Sequence, residues 1–162
     1  MELRRFTDII VGNYEITEEL LEAVKAAGIK ASRCVESMLQ KIEVEKTERE
    51  ISLVIVTPEE LGFKDAALMV DIIKKAKEFG LEKCVPEVAA QIMIQGGDII
   101  FEGDVIVAAD PIQDSDGDPG LFVLNCGEID SVYGVNDGEM NYDMCSDDVL
   151  VFMQSVLQKV GV

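Results

Sequence analysis

DIIFEGDVIVAAD, residues 98–110, decides the fold class. Two short runs of β-branched and aliphatic residues flank Gly103, the pattern of strand, turn, strand. The stretch also marks a change of character at Gly96-Gly97. Downstream, GLFVLNCGEIDSVYGV (120–135) reads as two further strands with Gly127 near their turn, and DDVLVFMQSVLQKV (147–160) begins as a strand and leaves room for a helical end. Upstream, the apolar spacing is helical. In ITEELLEAVKAAGIK (16–30), Thr17 is an N-cap candidate, Glu18 and Glu19 sit where the helix dipole favours acids, and Leu20, Leu21, Val24 and Ala27 share a face before Gly28. In KASRCVESMLQKIEV (30–44), Ser32 caps and Val35, Met38, Leu39 and Ile42 repeat at helical spacing. So short a connection predicts a packed helical hairpin. A DNA-reading helix-turn-helix would want a basic second helix, and here Glu36 and Glu43 offset Lys30, Arg33 and Lys41.

Between these regions, EVEKTERE (43–50) is a loop or helix tail, and ISLVIVT (51–57) is an uncharged, β-branched run expected in the middle of a sheet. Thr57 and Pro58 open a short turn. DAALMVDIIKKAKEFG (65–80) predicts a helix capped by Asp65, striped by Leu68, Met69, Ile72, Ile73, Ala76 and Phe79, and ended by Gly80. VPEVAAQIMIQ (85–95) predicts a short helix starting near Pro86. The reading is α+β: amino-terminal helices packed on one face of a mostly antiparallel (mixed) β-sheet. Residues 1–162 form a single domain, with a helical part over about 1–95 and a strand-rich acidic part over about 96–162.

The formal charge is −18, from 32 acids and 14 bases. Residues 1–95 hold 18 acids and 13 bases, whereas residues 96–162 hold 14 acids and one base, Lys159. Such a surface repels nucleic-acid backbones and anionic membranes, so neither is an expected partner. It favours cations or a basic protein. The apolar run Ile9–Val11 is too short for a secretory core, and no uninterrupted apolar stretch suits a membrane span. The expected compartment is the cytoplasm, with reduced thiols that are mostly buried and inert. No oligomeric state follows from the sequence.

The acidity is densest in DPIQDSDGDPG (110–120), between two expected strands and bracketed by Pro111 and Pro119. Asp110, Asp114, Asp116 and Asp118 are the candidate binding residues, and Asp114, Asp116 and Asp118 the candidate metal ligands. The last three match the opening of an EF-hand loop, but Pro119 stands where that loop needs Gly and Asn125 where it needs Glu. A looser oxygen site for Mg or Ca remains. So does a structural turn, in which Asp side chains accept backbone amides and Gly117 and Gly120 take unusual dihedrals.

Taken together, ELGFKD (60–65), AKEFGLEKCVPEVA (76–89) and DPIQDSDGDPGLFVL (110–124) resemble a functionally uncharacterised family of small bacterial proteins. That family has an L-G-F helix start, a G-L-x-x-C-P-like segment and a D-S-D-G-D-P inter-strand loop. The resemblance covers roughly residues 20–155 and is most specific at Asp114–Pro119. The chain departs from it where Val85 separates Cys84 from Pro86, and in having no Trp. The resemblance implies fold boundaries and no reaction.

With no His, neither a Ser-His-Asp triad nor a Cys-His pair can be built. No C-x-x-C pair suggests zinc. Cys84 is the one candidate reactive thiol, since Lys83 and an expected helix amino terminus would both lower its pKa, against the opposing Glu82 and Glu87. Cys126 reads as core, and Cys145 has no base in view. Asp110 with Asp114, or Asp147 with Asp148, are possible acid/base pairs. No phosphate-binding glycine motif is present. Whether the protein is an enzyme stays open. The leading expectation is a small acidic binding or regulatory module whose acidic half, with the 110–120 loop, Glu128, Asp130, Asp137, Glu139 and Asp143, contacts a basic partner. The alternative is a divalent-cation-dependent enzyme or metal-binding protein using the aspartate loop.

Overall fold

Alternation of apolar side chains to two sides explains the architecture. The computed structural model describes residues 3–96, 103–133 and 142–154. In chain order its elements are β1 (Arg4–Val11), α1 (Thr17–Ala26), β2 (Lys30–Ala31), α2 (Arg33–Leu39), β3 (Arg49–Val56), β4 (Ala67–Leu68) and α3 (Met69–Lys77). There follow β5 (Leu81–Glu82), α4 (Val88–Gln95), β6 (Val105–Val107), β7 (Ile112–Gln113), β8 (Pro119–Asn125), β9 (Glu128–Tyr133), β10 (Asp143–Met144) and β11 (Val149–Gln154).

One sheet runs β1-β3-β11-β6-β8-β9-β2, with β5 beside β11 and β7 beside β8, while β4 and β10 pair separately. Most pairings are antiparallel; β11 with β6 and β2 with β9 are parallel. The fold is α+β with a mixed, mostly antiparallel sheet, and strands from both parts of the chain share it. β3 lies between β1 and β11, the interior position expected of its uncharged run.

The expectation of helices on one face is corrected: they lie on both. Ile51 and Leu53 of β3, Val151 and Met153 of β11, Val105 and Val107 of β6, and Phe122 and Leu124 of β8 join a core with residues of α1, α2 and α4. Their alternates Val54, Val56, Leu150, Phe152, Ile106, Leu121 and Val123 join a second core with α3, Leu61, Tyr142 and Met144. A strand buried on both faces carries no polar alternation, which is why these segments read as continuous apolar runs.

Local starts and stops follow side-chain chemistry, with three shifts. Ser32 caps α2 as expected, its Oγ accepting from Val35 N at 3.2 Å. Thr57 Oγ1 accepts from Glu60 N at 3.2 Å and closes the expected turn. Thr17 is not a cap: its hydroxyl donates to Ile42 O at 2.6 Å, and the Glu19 carboxylate takes the Glu15 and Ile16 amides at 3.1 and 3.4 Å. α3 starts at Met69 rather than after Asp65, because Ala67 and Leu68 pair with Met144 and Asp143, and Met69 N donates to Tyr142 O at 2.8 Å. The L-G-F segment accordingly ends a turn and does not start a helix. The expected helical hairpin is interrupted by β2, which sits on the sheet edge beside β9. β1 was outside the expectations. The first strand of the opening quotation, residues 98–102, and the possible helical end beyond Gln154 lie outside the described residues. Among the described residues no helix is long and apolar enough to cross a membrane.

Phe152 is fully buried in β11, between β3 and β6. Phe152→Ala is expected to cost about 3–5 kcal/mol, read as a lower urea midpoint, because the sheet around the cavity is pinned on both sides and cannot collapse into it.

Candidate functional site

The aspartate stretch lies between the apolar strands β6 and β8, but it is not all loop: β7 falls inside it and pairs antiparallel with β8, so Asp114–Asp118 is the turn of a β7–β8 hairpin, built around one buried carboxylate. Asp114 is 3% exposed. Its Oδ1 accepts the amides of Asp116 at 2.9 Å and Asp118 at 3.0 Å, and its Oδ2 accepts the Tyr133 hydroxyl at 2.8 Å. Its backbone joins the same knot: Asp114 N donates to Asp118 O at 2.9 Å, and Gly117 N to Asp114 O at 3.0 Å. Gly117 takes φ +86°, which the turn demands and an L side chain resists. Neighbouring elements pin the loop from outside. Lys41 Nζ donates to Gln113 O at 2.8 Å and Asp114 O at 3.3 Å, and Ser37 Oγ accepts from Ser115 N at 2.9 Å. Tyr142, its phenol pushed up to about 12 by burial, donates to Pro119 O at 2.7 Å.

The Tyr133 hydroxyl, with the Asp116 and Asp118 amides and the Lys41 ammonium assisting, holds the Asp114 carboxyl below its usual range. Tyr133 itself is raised, first by burial and then by the Asp114 carboxylate it faces.

The candidate ligands do not converge as three aspartates. Asp116 and Asp118 are exposed. The donor atoms that lie within 4.8 Å of one another are those of Cys34, Asp114 and Asp116, with Asp118 outside the group. Asp110 is drawn elsewhere, accepting Lys83 Nζ at 2.7 Å. That contact also removes from Cys84 the cation expected to activate it. Cys84 is buried, its amide donates to Ala108 O at 2.6 Å, and its thiol lies 3.5 Å from Val151 O. Burial pushes the Cys84 thiol up, and α4 begins only at Val88, so the expected reactive thiol is instead a packed one. The other cysteines also differ from expectation: Cys126, placed in the core by its apolar neighbours, is exposed in the β8–β9 turn, Cys145 is exposed, and Cys34 is half-buried. Cys145, Asp147 and Asp148 form a second close group of thiol and carboxylates.

Glu87 was expected only as a charge opposing Cys84, yet it is fully buried and turned away from that thiol. Its Oε2 accepts Gly12 N at 2.9 Å and Gln91 Nε2 at 2.7 Å, and its Oε1 accepts Glu45 N at 2.8 Å. The carboxylate staples two surface loops together. Gly12 passes so close that a Cβ there would stand 2.2 Å from Thr47 O.

A second acidic feature is a cleft of about 300 Å³ on the face of the sheet that α3 shares. Ile106, Val123, Val132 and Met144 give it an apolar floor, and Asp104, Asp130, Asp143 and Asp148 give it acidic walls. Asp130 and Asp143 were among the expected contacts for a basic partner; Asp148 was expected only as an acid/base partner of Asp147, and Asp104 was missed, since only the sheet register brings them near. Glu128, at the start of β9, is exposed, and Asp137 and Glu139 lie outside the described residues. Asp130 Oδ1 accepts Ser131 N at 3.0 Å, Asp148 Oδ2 accepts Cys145 N at 2.7 Å, and Asp104 Oδ1 accepts Asn125 Nδ2 at 3.2 Å. Among the described residues none of the four forms an ion pair.

Set against known proteins, the chain matches no family model, no curated protein and no solved structure.

Two outcomes are expected from this geometry. Asp114 is lowered in the fold, so its contribution is present above its ordinary value of 3.8 and is lost as pH falls through the folded value. Tyr133→Phe removes the main cause, so the acid limb of the melting profile should move to higher pH while neutral-pH stability drops modestly. In thiol labelling resolved by mass spectrometry, Cys126 and Cys145 should react first and Cys84 only on unfolding.

Proposed function

We propose that the protein is a binding or regulatory module that engages a basic protein partner through its acidic, strand-rich half. The observation that carries this reading is the cleft walled by Asp104, Asp130, Asp143 and Asp148. Four carboxylates around an apolar floor repel one another, and a partner's cations would relieve that repulsion while its apolar groups cover the floor. The lone base after residue 95, Lys159, leaves this half with little internal neutralisation. The family resemblance is compatible with this reading and adds no reaction to it.

The divalent-cation alternative has less support in the aspartate loop, because both oxygens of Asp114 already accept hydrogen bonds from protein donors. The loop is better suited to presenting Asp116 and Asp118 at the surface on a rigid base.

The test is a titration with lysine- and arginine-rich peptides followed by amide chemical shifts. Shifts confined to residues lining the cleft, weakening steeply as salt rises, are expected. The combined variant D104N, D130N, D143N and D148N should abolish them. Shifts that ignore salt, or that persist in this variant, would remove the proposal. Calcium and magnesium titrated alongside should give only weak, non-saturating effects.

A further inference from the structure

Independently of that reading, we propose a small-molecule site on the other face of the sheet. A cavity between α1, β2 and α2 takes a free aliphatic α-amino acid, with the side chain inside and the ammonium and carboxylate at the mouth.

The lining is apolar but not sealed. Leu21 and Val24 of α1, Leu39 of α2, and Ile29 and Ala31 from the segment between the helices surround the space. Val24 and Leu39 are buried, whereas Leu21, Ile29 and Ala31 are half-buried and pack against the core as walls with a solvent side. Ala31 offers only a methyl, which leaves the space unfilled. The cavity measures about 60 Å³. A water-sized group needs roughly 10–15 Å³, so about four to six such groups fit. That suits the three or four side-chain carbons of valine, isoleucine or leucine and excludes an indole.

The mouth carries both signs of charge. Lys25, near the end of α1, Glu36, in the first turn of α2, and the Gln40 amide border the same opening, and all three are exposed. Among the described residues, Lys25 and Glu36 make no ion pair with each other. Nor does either pair with the opposite charge three residues before it on its own helix, Glu22 or Arg33. A cation and an anion held apart beside an apolar cavity are complementary to a zwitterion with an aliphatic stem. The ligand carboxylate would meet Lys25 and the ligand ammonium Glu36. A fatty acid would set its carboxylate against Glu36, on a chain that already carries −18. An alkylamine would set its ammonium against Lys25. The zwitterion satisfies both groups and brings no net charge.

The deciding experiment titrates the full chain calorimetrically at about pH 7, where both termini of a free amino acid are charged. The ligands are leucine, alanine, tryptophan, isocaproate (leucine without its amine), isoamylamine (leucine without its carboxylate) and the uncharged blocked N-acetyl-leucinamide. Leucine is expected to saturate and to bind at least about tenfold tighter than alanine, since each buried methylene is worth roughly a factor of four. Tryptophan should not compete with it. Lys25→Met should weaken leucine and isocaproate by about two- to fivefold and leave isoamylamine unchanged. Glu36→Gln should weaken leucine and isoamylamine and leave isocaproate unchanged. Both side chains are exposed, so neither variant endangers the fold. No saturable binding of leucine, isoleucine or valine overturns the proposal, as does leucine binding no tighter than isocaproate or isoamylamine. Equal binding of N-acetyl-leucinamide also overturns it, because the cavity would then be a socket for a side chain of another protein. None of these results bears on the acidic cleft, which lies on the face that α3 shares.

Discussion

Burial of the sheet on both of its faces is the constraint on which the rest of the structure depends. β11 shows it most sharply. Leu150 and Phe152 enter one core, Val151 and Met153 the other, and the strand pairs with β3 on one side and β6 on the other. A residue there has no solvent side to escape to. The helices are distributed by the same requirement: α1, α2 and α4 close one face, α3 and the β4–β10 pair close much of the second. Among the described residues, the part of that second face over β6, β8 and β9 is lined by the acidic cleft. The candidate site thus lies where, among the described residues, the two-sided core is walled by strand-end aspartates rather than by a helix.

Around this frame, carboxylates serve two opposite purposes. Asp114 and Glu87 are buried and satisfied; each collects backbone amides from segments that would otherwise be loose, and so converts a surface loop into a fixed connection. The cleft aspartates keep their charge available to solvent. Counting acids along the chain does not separate these roles, because the two kinds occur side by side: Asp114 is a staple and Asp116, two residues on, is exposed.

Much of the fold was legible in the residues. Continuous β-branched runs marked the central strands, Gly127 marked the β8–β9 turn, and Ser32 marked the start of α2, because each depends on local chemistry. Long-range pairing was not legible. Asp65 is as good an N-cap as Ser32, yet α3 waits until Met69 because Ala67 and Leu68 have a strand to pair with, and that partner lies far along the chain. Helices on both faces were hinted at by the absence of polar alternation in ISLVIVT, a sign read only as burial. For the site, the aspartate loop stood out by density but its organising residue depends on Tyr133, a contact no spacing reveals. Cys84 had the right neighbours for reactivity and the wrong depth. Asp104 carried no signal, and Asp148 stood out only beside Asp147 as an acid/base pair, since only the register of β6, β9 and β11 assembles the cleft.

The strand order also bears on how the chain is made. β1 and β3 can pair early, but the other edge of β3 is filled by β11, whose residues 149–154 follow every other described strand in sequence. During synthesis at roughly 5–20 residues per second, that edge stands open for a matter of seconds before its partner leaves the ribosome. The amino-terminal helices cannot seal it, because their own core needs Val151 and Met153. The nascent chain therefore completes its fold late and all together, and in that interval its central strand is the segment with most to gain from a chaperone.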